Sequence, residues 1–393
     1  MLSKALKQFI SDHRSDDTAR LLLQRHRYTG IDVLFAVQQI EGRRKASAKL
    51  PELSTNDDFV FPPHLNLEQA SSEATARFKA VRYAAGKSVI DITGGLGIDT
   101  IYMARVAKNV TYIEQNAELL RIAEENFKML GLSNIRCLCG NSAEMLAGGG
   151  MRADLVYADP ARRDQQGRRV VSLADCTPDI IQLLHTLLDI APQVLIKTSP
   201  MLDISLAKRQ MGSVAEIAVV ALRNECKELL FLCSRDSATD TPPMCVDIDA
   251  DGREILFRPT AEELRAVPPV ANRVDQYLYD PSVAVVKAQI TNVLANHFGL
   301  SLLQSGSRLG TSSRLINDYM GRVFQVVDVL SVSPKAVRAA LPSGKANVVS
   351  RNFPLSADEL RKKLKITDGS DYFLIATVLN GVKKVLVLCR RVA

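Results

Sequence analysis

Over the first 84 residues the apolar positions recur every three or four places. Leu21, Leu22, Ile31, Val33, Leu34, Val37 and Ile40 follow this spacing with Gly30 as a break, so the region is predicted to be helical. Pro51 and then Pro62-Pro63 mark an irregular connection. A further helix is expected over about residues 69–84, with Ser71 or Ser72 as its early cap and Gly86 as its stop.

From Lys87 the pattern changes to short apolar runs alternating with longer amphipathic stretches. Strands are predicted at 87–91, 109–114, 135–139, 153–158 and 194–197, and helices at 99–107 and 116–130. The second helix shows Leu119, Ile122, Ala123, Phe127 and Leu130 on one face and Gly131 at its end. Thr177 is expected to cap a helix whose first position is Pro178. Residues 215–223 and 227–233 read as an antiparallel pair at the sheet edge. Such alternation implies parallel strands joined by right-handed crossovers, a doubly wound, Rossmann-like α/β sheet.

Past the sheet, a hairpin at 245–257 turns on Asp249-Ala-Asp-Gly252, and Pro268-Pro269 marks a boundary before a mixed α/β segment. Strands follow at 322–330 and 347–353, with a helix opened by Ser333-Pro334 between them. Ser356-Ala-Asp-Glu359 is a capping box, with Leu355 and Leu360 spaced for a hydrophobic staple. Strands at 372–379 and 382–389 flank Asn380-Gly381, a strong hairpin signal. This β-α-β-α-β-β order predicts a small open sheet with helices on one face. No internal repeat or low-complexity tract interrupts it.

Composition narrows the class. At 393 residues the chain is too long for one ordinary core and should divide into several domains. No run of 18 apolar residues is uninterrupted, which argues against a membrane span, and the first residues lack the apolar core of a secretory signal. A cytoplasmic location is therefore expected. The seven cysteines are odd in number and widely spread, so they read as reduced thiols rather than a disulfide framework. Cys137 and Cys139 are too close for a usual zinc half-site. His13, His26, His64, His185 and His297 are scattered, forming neither a metal set nor a catalytic triad, and no metal is expected. The net charge of +7 is a mild pointer to a polyanionic partner. Arg43, Arg44 and Lys45, then Arg361, Lys362 and Lys363, are clumps able to neutralise phosphates, although each also reads as solvated surface charge. Aromatic residues are too scarce for a single-strand stacking platform.

Three stretches carry candidate chemistry. In Asp91-Ile-Thr-Gly-Gly-Leu-Gly-Ile-Asp99 a strand runs into glycines and then into a helix. Gly94, Gly95 and Gly97 let the backbone approach a ligand closely. A glycine loop followed by an acid is shared with nicotinamide-dependent enzymes. Two details favour S-adenosylmethionine instead: the acid Asp91 precedes the glycines, poor company for a pyrophosphate, and the last glycine of the dinucleotide pattern would fall at Thr100. Asp91 is expected near the cationic part of that cofactor and Glu114 at its ribose hydroxyls. Thr93 and Asp99 are assigned to the same loop, with Asn141 and Ser142 near the adenine edge. The second stretch, Asp154-Leu-Val-Tyr-Ala-Asp159-Pro160-Ala161-Arg162-Arg163, ends an apolar strand in Asp-Pro at the carboxyl rim of the sheet, where ligands bind. It is similar to the (Asp/Asn)-Pro-Pro-aromatic motif of amino-directed methyltransferases. There a carboxylate and the proline carbonyl accept N–H bonds from an exocyclic amine and turn its lone pair toward the methyl donor, so Asp159 and Pro160 are the catalytic candidates. Arg162 stands where that motif has an aromatic residue; Arg162 and Arg163 are candidates for stacking on a base or gripping a phosphate. The third stretch, Lys197-Thr-Ser199-Pro200, ends the next strand at the same rim. With Ser72 it completes the substrate-binding candidates, Ser72, Arg162, Arg163, Lys197 and Ser199.

Nearly end to end, the chain resembles the bacterial class I S-adenosylmethionine-dependent methyltransferases that carry ferredoxin-like and THUMP-like C-terminal domains. The phrases that match are Gln39-Ile-Glu-Gly-Arg43, Lys49-Leu-Pro51, Glu68-Gln-Ala-Ser-Ser-Glu73, the glycine loop, Asp159-Pro-Ala-Arg-Arg163, Lys197-Thr-Ser-Pro200, Tyr279-Asp-Pro281 and Arg351-Asn-Phe-Pro354-Leu-Ser356. The resemblance implies a seven-stranded methyltransferase sheet. The expected division is an N-terminal helical region at 1–84, the methyltransferase domain at 85–262, a ferredoxin-like segment at 268–318 and a THUMP-like domain at 319–393. It also implies S-adenosylmethionine as cofactor and an RNA acceptor, with tRNA the analogy from THUMP domains. The alternatives are a noncatalytic RNA-binding protein that keeps the fold, a methyltransferase for a non-RNA acceptor, and a nicotinamide-linked oxidoreductase, for which no hydride-handling His or Tyr-Lys pair is evident. The oligomeric state is not readable from the sequence.

Overall fold

The computed structural model describes residues 2–62, 70–161, 173, 176–236 and 242–392. The chain divides into two compact units, Met1–Ala215 with Leu230–Thr239 and Glu216–Leu229 with Asp240–Ala393.

The N-terminal region is helical, in α1 (Lys4–Asp12), α2 (Thr18–Leu23), α3 (Val33–Ala46), α4 (Pro51–Thr55) and α5 (Glu73–Lys79). Ser3, Asp17, Asp32 and Ser72 cap four of these, each side chain accepting a first-turn N–H. Phe9, Ile10, Leu21, Val33, Val37 and Ile40 form their buried core. The last helix starts at Glu73, later than the spacing predicted, because Ser72 takes the cap; residue 69 lies outside the described residues. After α4, Phe59, Val60 and Phe61 lie buried as a strap. Gln39 Nε2 donates to Phe61 O at 2.8 Å while its Oε1 accepts from Phe61 N at 2.9 Å. Asn126 grips Val60 in the same two-handed way, at 2.9 Å for both bonds. Two buried side-chain amides thus stand in for a missing strand partner.

The strands and helices that follow are β1 (Ser88–Asp91), α6 (Ile98–Ala104), β2 (Asn109–Glu114), α7 (Ala117–Met129), β3 (Ile135–Cys139), α8 (Ser142–Ala147), β4 (Leu155–Ala158), α9 (Ile180–Ile190), β5 (Gln193–Thr198), α10 (Ile204–Met211), β6 (Val214–Leu222), β7 (Glu225–Cys233), β8 (Met244–Ile248) and β9 (Glu254–Phe257). The sheet order is β3-β2-β1-β4-β5-β7-β6-β8-β9. β1 pairs in parallel with both β2 and β4, so the order reverses at its tip. In such sheets that reversal opens a crevice beyond the carboxyl ends of the strands.

The seven strands expected are present in the order β3-β2-β1-β4-β5-β7-β6, and β8, parallel to β6, and β9, antiparallel to β8, extend the sheet to nine. Two local expectations are corrected. The pair 215–223 and 227–233 is therefore not an edge: Ala218–Leu222 of β6 is covered by Met244–Ile248, whose Met244, Cys245, Val246 and Ile248 are buried. Thr177 does not cap α9. Its backbone is bridged to Ala161, and Asp179 supplies the cap by accepting from Ile181 N and Gln182 N.

The second unit continues with β10 (Tyr277–Pro281), α11 (Val283–Lys287), α12 (Thr291–His297), β11 (Ser301–Leu302), β12 (Gly310–Ser312), β13 (Gly321–Leu330), α13 (Pro334–Ala340), β14 (Asn347–Ser350), α14 (Ala357–Leu364), β15 (Tyr372–Leu379) and β16 (Lys383–Arg391). The four strands expected to form a small sheet of their own belong to a larger one, ordered β11-β12-β10-β13-β16-β15-β14. The reason is that β13 is ten residues long and pairs at its start with β10 and further on with β16. Alternation along β15 and β16 sends Leu374, Ala376, Leu386 and Leu388 to a core shared with Val337 and Leu360 of the helices. It sends Ile375, Val385, Val387 and Cys389 to a second core with Leu303 and Leu309. Both faces are buried. The capping box of Ser356 and Glu359 forms as predicted. Among the described residues no helix is long and apolar enough to cross a membrane.

Asn126→Ala should be costly, because it strands the N–H and C=O of buried Val60 together. Each unmet group costs about 1–3 kcal/mol, so a loss of about 2–5 kcal/mol is expected, read as faster amide exchange at Val60 and Phe61 and a lower denaturation midpoint.

Candidate functional site

The chain leaves β1 at Asp91 and turns through the glycines into α6. Gly95 and Gly97 take positive φ, +56° and +70°, and Gly97 is the left-handed residue that caps α6. Gly94 answers a different need: a Cβ there would lie 2.4 Å from Tyr112 Cε2 and 2.9 Å from the carbonyl oxygen of Ile113. The Tyr112 ring cannot retreat, since it is fully buried and its hydroxyl donates to Gly95 O at 2.7 Å.

Three aspartates meet here. Asp91 is 2% exposed, its carboxylate accepting from Thr100 Oγ1 at 2.6 Å and from Thr93 N at 3.0 Å. Burial pushes its carboxyl up to about 7; those two hydrogen bonds oppose the rise, and the nearby charges of Asp99 and Asp159 add to it. It makes no ion pair among the described residues. Asp99, in the first turn of α6, accepts from Tyr157 Oη at 2.7 Å and Ser71 Oγ at 2.8 Å, and faces the fully buried Lys79 Nζ at 3.2 Å. Burial alone would raise its pKa, but Lys79, then Lys197, and the two hydroxyl donors outweigh it and hold the carboxyl below its ordinary value. Asp159 follows β4, its N–H donating to Thr93 Oγ1 at 2.7 Å and its carboxylate ion-paired with Lys197. The side chain of Asp159 stays 31% exposed, open to a partner, while that of Lys197 is 8% exposed.

Glu114 ends β2. One of its oxygens accepts from Gly95 N and the other from Asn116 N, both at 2.7 Å, which ties the glycine loop to the tip of the neighbouring strand. Asn141 caps α8 by accepting from Ala143 N, and Ser142 opens that helix. Asp91, Thr93, Gly94, Gly95, Gly97, Asp99, Glu114, Asn141, Ser142, Asp159 and Pro160 all line one cavity of about 800 Å³. That size lies within the range of small-molecule sites.

The structure does not bring every candidate to this wall. Ser72 turns back on α5, accepting from Thr75 N, and its neighbour Ser71 lines the cavity instead. Lys197 reaches the cavity through Asp159, and Ser199 spends its hydroxyl accepting from Met201 N. Arg162 and Arg163 lie outside the described residues. Conversely, Ser71, Lys79, Tyr157 and the Thr177–Asp179 wall were not among the site candidates read from the sequence. Tyr157 was within reach, two places before Asp159 at the end of an apolar strand, and both line the cavity. Lys79 carried no signal, being one lysine among many in a helix.

The residues fit S-adenosylmethionine. The glycine loop packs its backbone tightly against Tyr112 and Phe127 along the cavity wall, Asp91 is an acid without a cation among the described residues, Glu114 offers a carboxylate for vicinal hydroxyls, and Asn141 with Ser142 gives a polar edge. Among the described residues no group of three or more His, Cys, Asp or Glu is placed to hold a metal ion.

Residues 321–391 match the THUMP domain-like family, and residues 277–319 match a ferredoxin-like domain family. The crystal structure of a provisionally assigned methyltransferase from Porphyromonas gingivalis W83 shares 32% sequence identity, with a TM-score of 0.86 over 99% of this chain and 98% of that one. An RNA methyltransferase of Gloeobacter violaceus whose role is uncharacterised is 29% identical over 102 residues, covering 26% of this chain and 20% of that protein. A Methanosarcina acetivorans protein provisionally assigned as a decarboxylating cobalt-precorrin-6B C(15)-methyltransferase is 39% identical over 67 residues, 16% of this chain and 36% of its own length. The matched stretch spans well under two thirds of either of these two curated relatives.

Gly94→Ala tests the loop. Overpacking against a ring that cannot move costs about 1–3 kcal/mol of stability, so the denaturation midpoint should fall, and the displaced loop should bind S-adenosylmethionine more weakly by calorimetry. Unaltered affinity would mean that the loop does not touch the ligand.

Proposed function

The chain belongs to the bacterial class I S-adenosylmethionine-dependent methyltransferase family with ferredoxin-like and THUMP-like C-terminal domains, and we propose that it methylates an exocyclic base amine of RNA, with tRNA the first acceptor to test. A charge imbalance carries the reading. Three aspartates line one cavity; Asp99 faces buried Lys79, Asp159 faces buried Lys197, and Asp91 is left without a cation among the described residues. A ligand with a cationic end completes the set. Burial has raised Asp91 toward its neutral form, and a nearby positive charge returns it to carboxylate.

When bound, S-adenosylmethionine supplies an electrophilic methyl group on sulfonium. In this reading Asp91 holds the cationic amino-acid end, Glu114 the ribose hydroxyls, and Asn141 with Ser142 the adenine edge. Asp159 and the carbonyl of Pro160 accept N–H bonds from the amine and orient its lone pair. Lys197 fixes the Asp159 carboxylate while Asp159 remains accessible from the cavity. Alignment of this kind is worth about 7–11 kcal/mol, and Asp159 is also placed to take the departing proton. Arg162 and Arg163 follow directly in the sequence and serve as RNA contacts. Residues 85–262 then act as the catalytic domain and residues 268–318 and 319–393 as the RNA-facing part. The THUMP-like match, the naming of the Gloeobacter violaceus relative and the net charge of +7 support RNA as the acceptor.

Mass spectrometry of nucleosides from cells with and without the protein tests this. One methylated nucleoside should vanish on deletion, return with the wild-type chain and stay absent with Asp159→Ala. An unchanged nucleoside profile on deletion would remove RNA as the acceptor. Full restoration by Asp159→Ala would point instead to a noncatalytic role.

A further inference from the structure

Two phrases that stand out in the sequence, Tyr279-Asp-Pro281 and Arg351-Asn-Phe-Pro354, have no part in the cavity, yet the C-terminal sheet brings them together. Asp280 of β10 is 2% exposed and lies directly across from Arg322 of β13 in the antiparallel register. Arg322 Nη2 and Arg351 both pair with its carboxylate, Arg351 through Nε at 3.3 Å and Nη2 at 3.1 Å. The approach of the two strands is unusually close here. Gly321 has φ +153°, and a Cβ on it would lie 2.4 Å from Asp280 O. Stacking of the Arg322 guanidinium 5.7 Å from the Phe324 ring centroid limits its freedom further.

A third guanidinium joins them. Arg308 precedes β12, whose Gly310 is the cross-strand neighbour of Tyr279. It is half-buried and makes no ion pair or side-chain hydrogen bond among the described residues. Burial lowers its pKa below the ordinary arginine value, Arg351 and Arg322 add to the lowering, and Asp280 opposes it. Two guanidiniums are thus paired with Asp280, and a third positive charge lies within their electrostatic reach. A structural ion pair needs no third arginine, and a partly desolvated cation without a partner is unfavourable until an anion arrives. Arg322 and Arg351 keep side-chain exposures of 21% and 24%, and each has N–H donors beyond those used on Asp280.

We propose that Arg308, Arg322 and Arg351, oriented by Asp280, form a binding site for a phosphate group of RNA. Guanidiniums are the side chains best matched to phosphate oxygens, through paired N–H donors in one plane. Asp280 acts as a positioning residue that holds two of the forks at a fixed angle. The site is separate from the cavity between the strand tips, and the choice of RNA as the source of the phosphate rests on the functional reading above.

The test uses the full chain, unfractionated bacterial tRNA as probe, and fluorescence anisotropy over a salt series. Arg308→Gln leaves no partner stranded, so the fold should persist. Its binding should be weaker, and the slope of log K against log salt shallower by about 0.7–1, the loss of one phosphate contact. Arg273→Gln is the control, since Arg273 is exposed and already paired with Asp275; its slope should equal that of wild type. Both variants should titrate S-adenosylmethionine as wild type does. Equal slopes for Arg308→Gln and wild type, or equal losses in the two variants, would overturn the site while leaving the methyltransferase reading intact. Absence of salt-dependent tRNA binding by wild type would overturn the RNA reading and this site with it. Inorganic phosphate, added at constant ionic strength, should compete with tRNA in wild type and less so in Arg308→Gln. Phosphate binding that depends on Arg308 while the tRNA slope does not would assign the site to a free phosphate and overturn the proposal.

Discussion

Like charges gathered on one buried wall are the constraint around which the first unit is arranged. Asp91, Asp99 and Asp159 each raise the energy of the others' charged forms, and water is excluded from much of the wall. Such a cluster persists only where cations or donors are built in. Lys79 and Lys197 supply two of the cations, from a helix upstream of the sheet and from the strand beside β4. The hydroxyls of Ser71, Tyr157, Thr93 and Thr100 supply much of the rest. One acid, Asp91, is left unbalanced among the described residues, and in the proposed function that imbalance is what draws a cationic ligand.

The fold explains how residues so far apart in sequence reach that wall. Parallel pairing of β1 with β2 and β4 aligns three strand tips at one edge, and the reversal of strand order keeps the crevice beyond them open. The glycine loop then closes against β2 through Gly95 and Glu114. The N-terminal helices do more than precede the sheet: α5 delivers Lys79 into its interior, and the strap at Val60 and Phe61 is fastened to α7 through Asn126. Removing these helices would take away the ion pair between Asp99 and Lys79 and leave Asp99 only the charge of Lys197.

Much of this was legible in the chain. The strands at 109–114 and 135–139 coincide with β2 and β3, because each is an apolar run bounded by a loop and a helix, and period alone fixes it. Ser356-Ala-Asp-Glu359 and Asn380-Gly381 likewise specify their turns locally. What stayed hidden depended on partners remote in sequence. Whether β6 is an edge cannot be decided without knowing that 244–248 returns beside it. The choice of Asp179 over Thr177 as cap depends on a bridge from Thr177 to Ala161. Short α8 and α10 show too few turns for a helical period to emerge, and a buried lysine such as Lys79 has the same sequence signature as an exposed one. Of the cavity's lining, the acids and glycines were readable, because Asp91 and Asp159 end apolar runs and Gly94, Gly95 and Gly97 mark the turn from β1 into α6. The lysines that make three acids tolerable were not, apart from Lys197.

The central claim is that Asp91 awaits a ligand's positive charge, and proton counting tests it most directly. Calorimetric titration of S-adenosylmethionine at pH 7, repeated in buffers of differing ionisation enthalpy, gives the number of protons exchanged. A carboxyl poised at about 7 in the free protein and ionised in the complex should release about half a proton at that pH and more two units lower, and the ligand's own ammonium stays fully charged at both pH values. Binding that releases no proton at either pH, or that takes one up, would contradict the account.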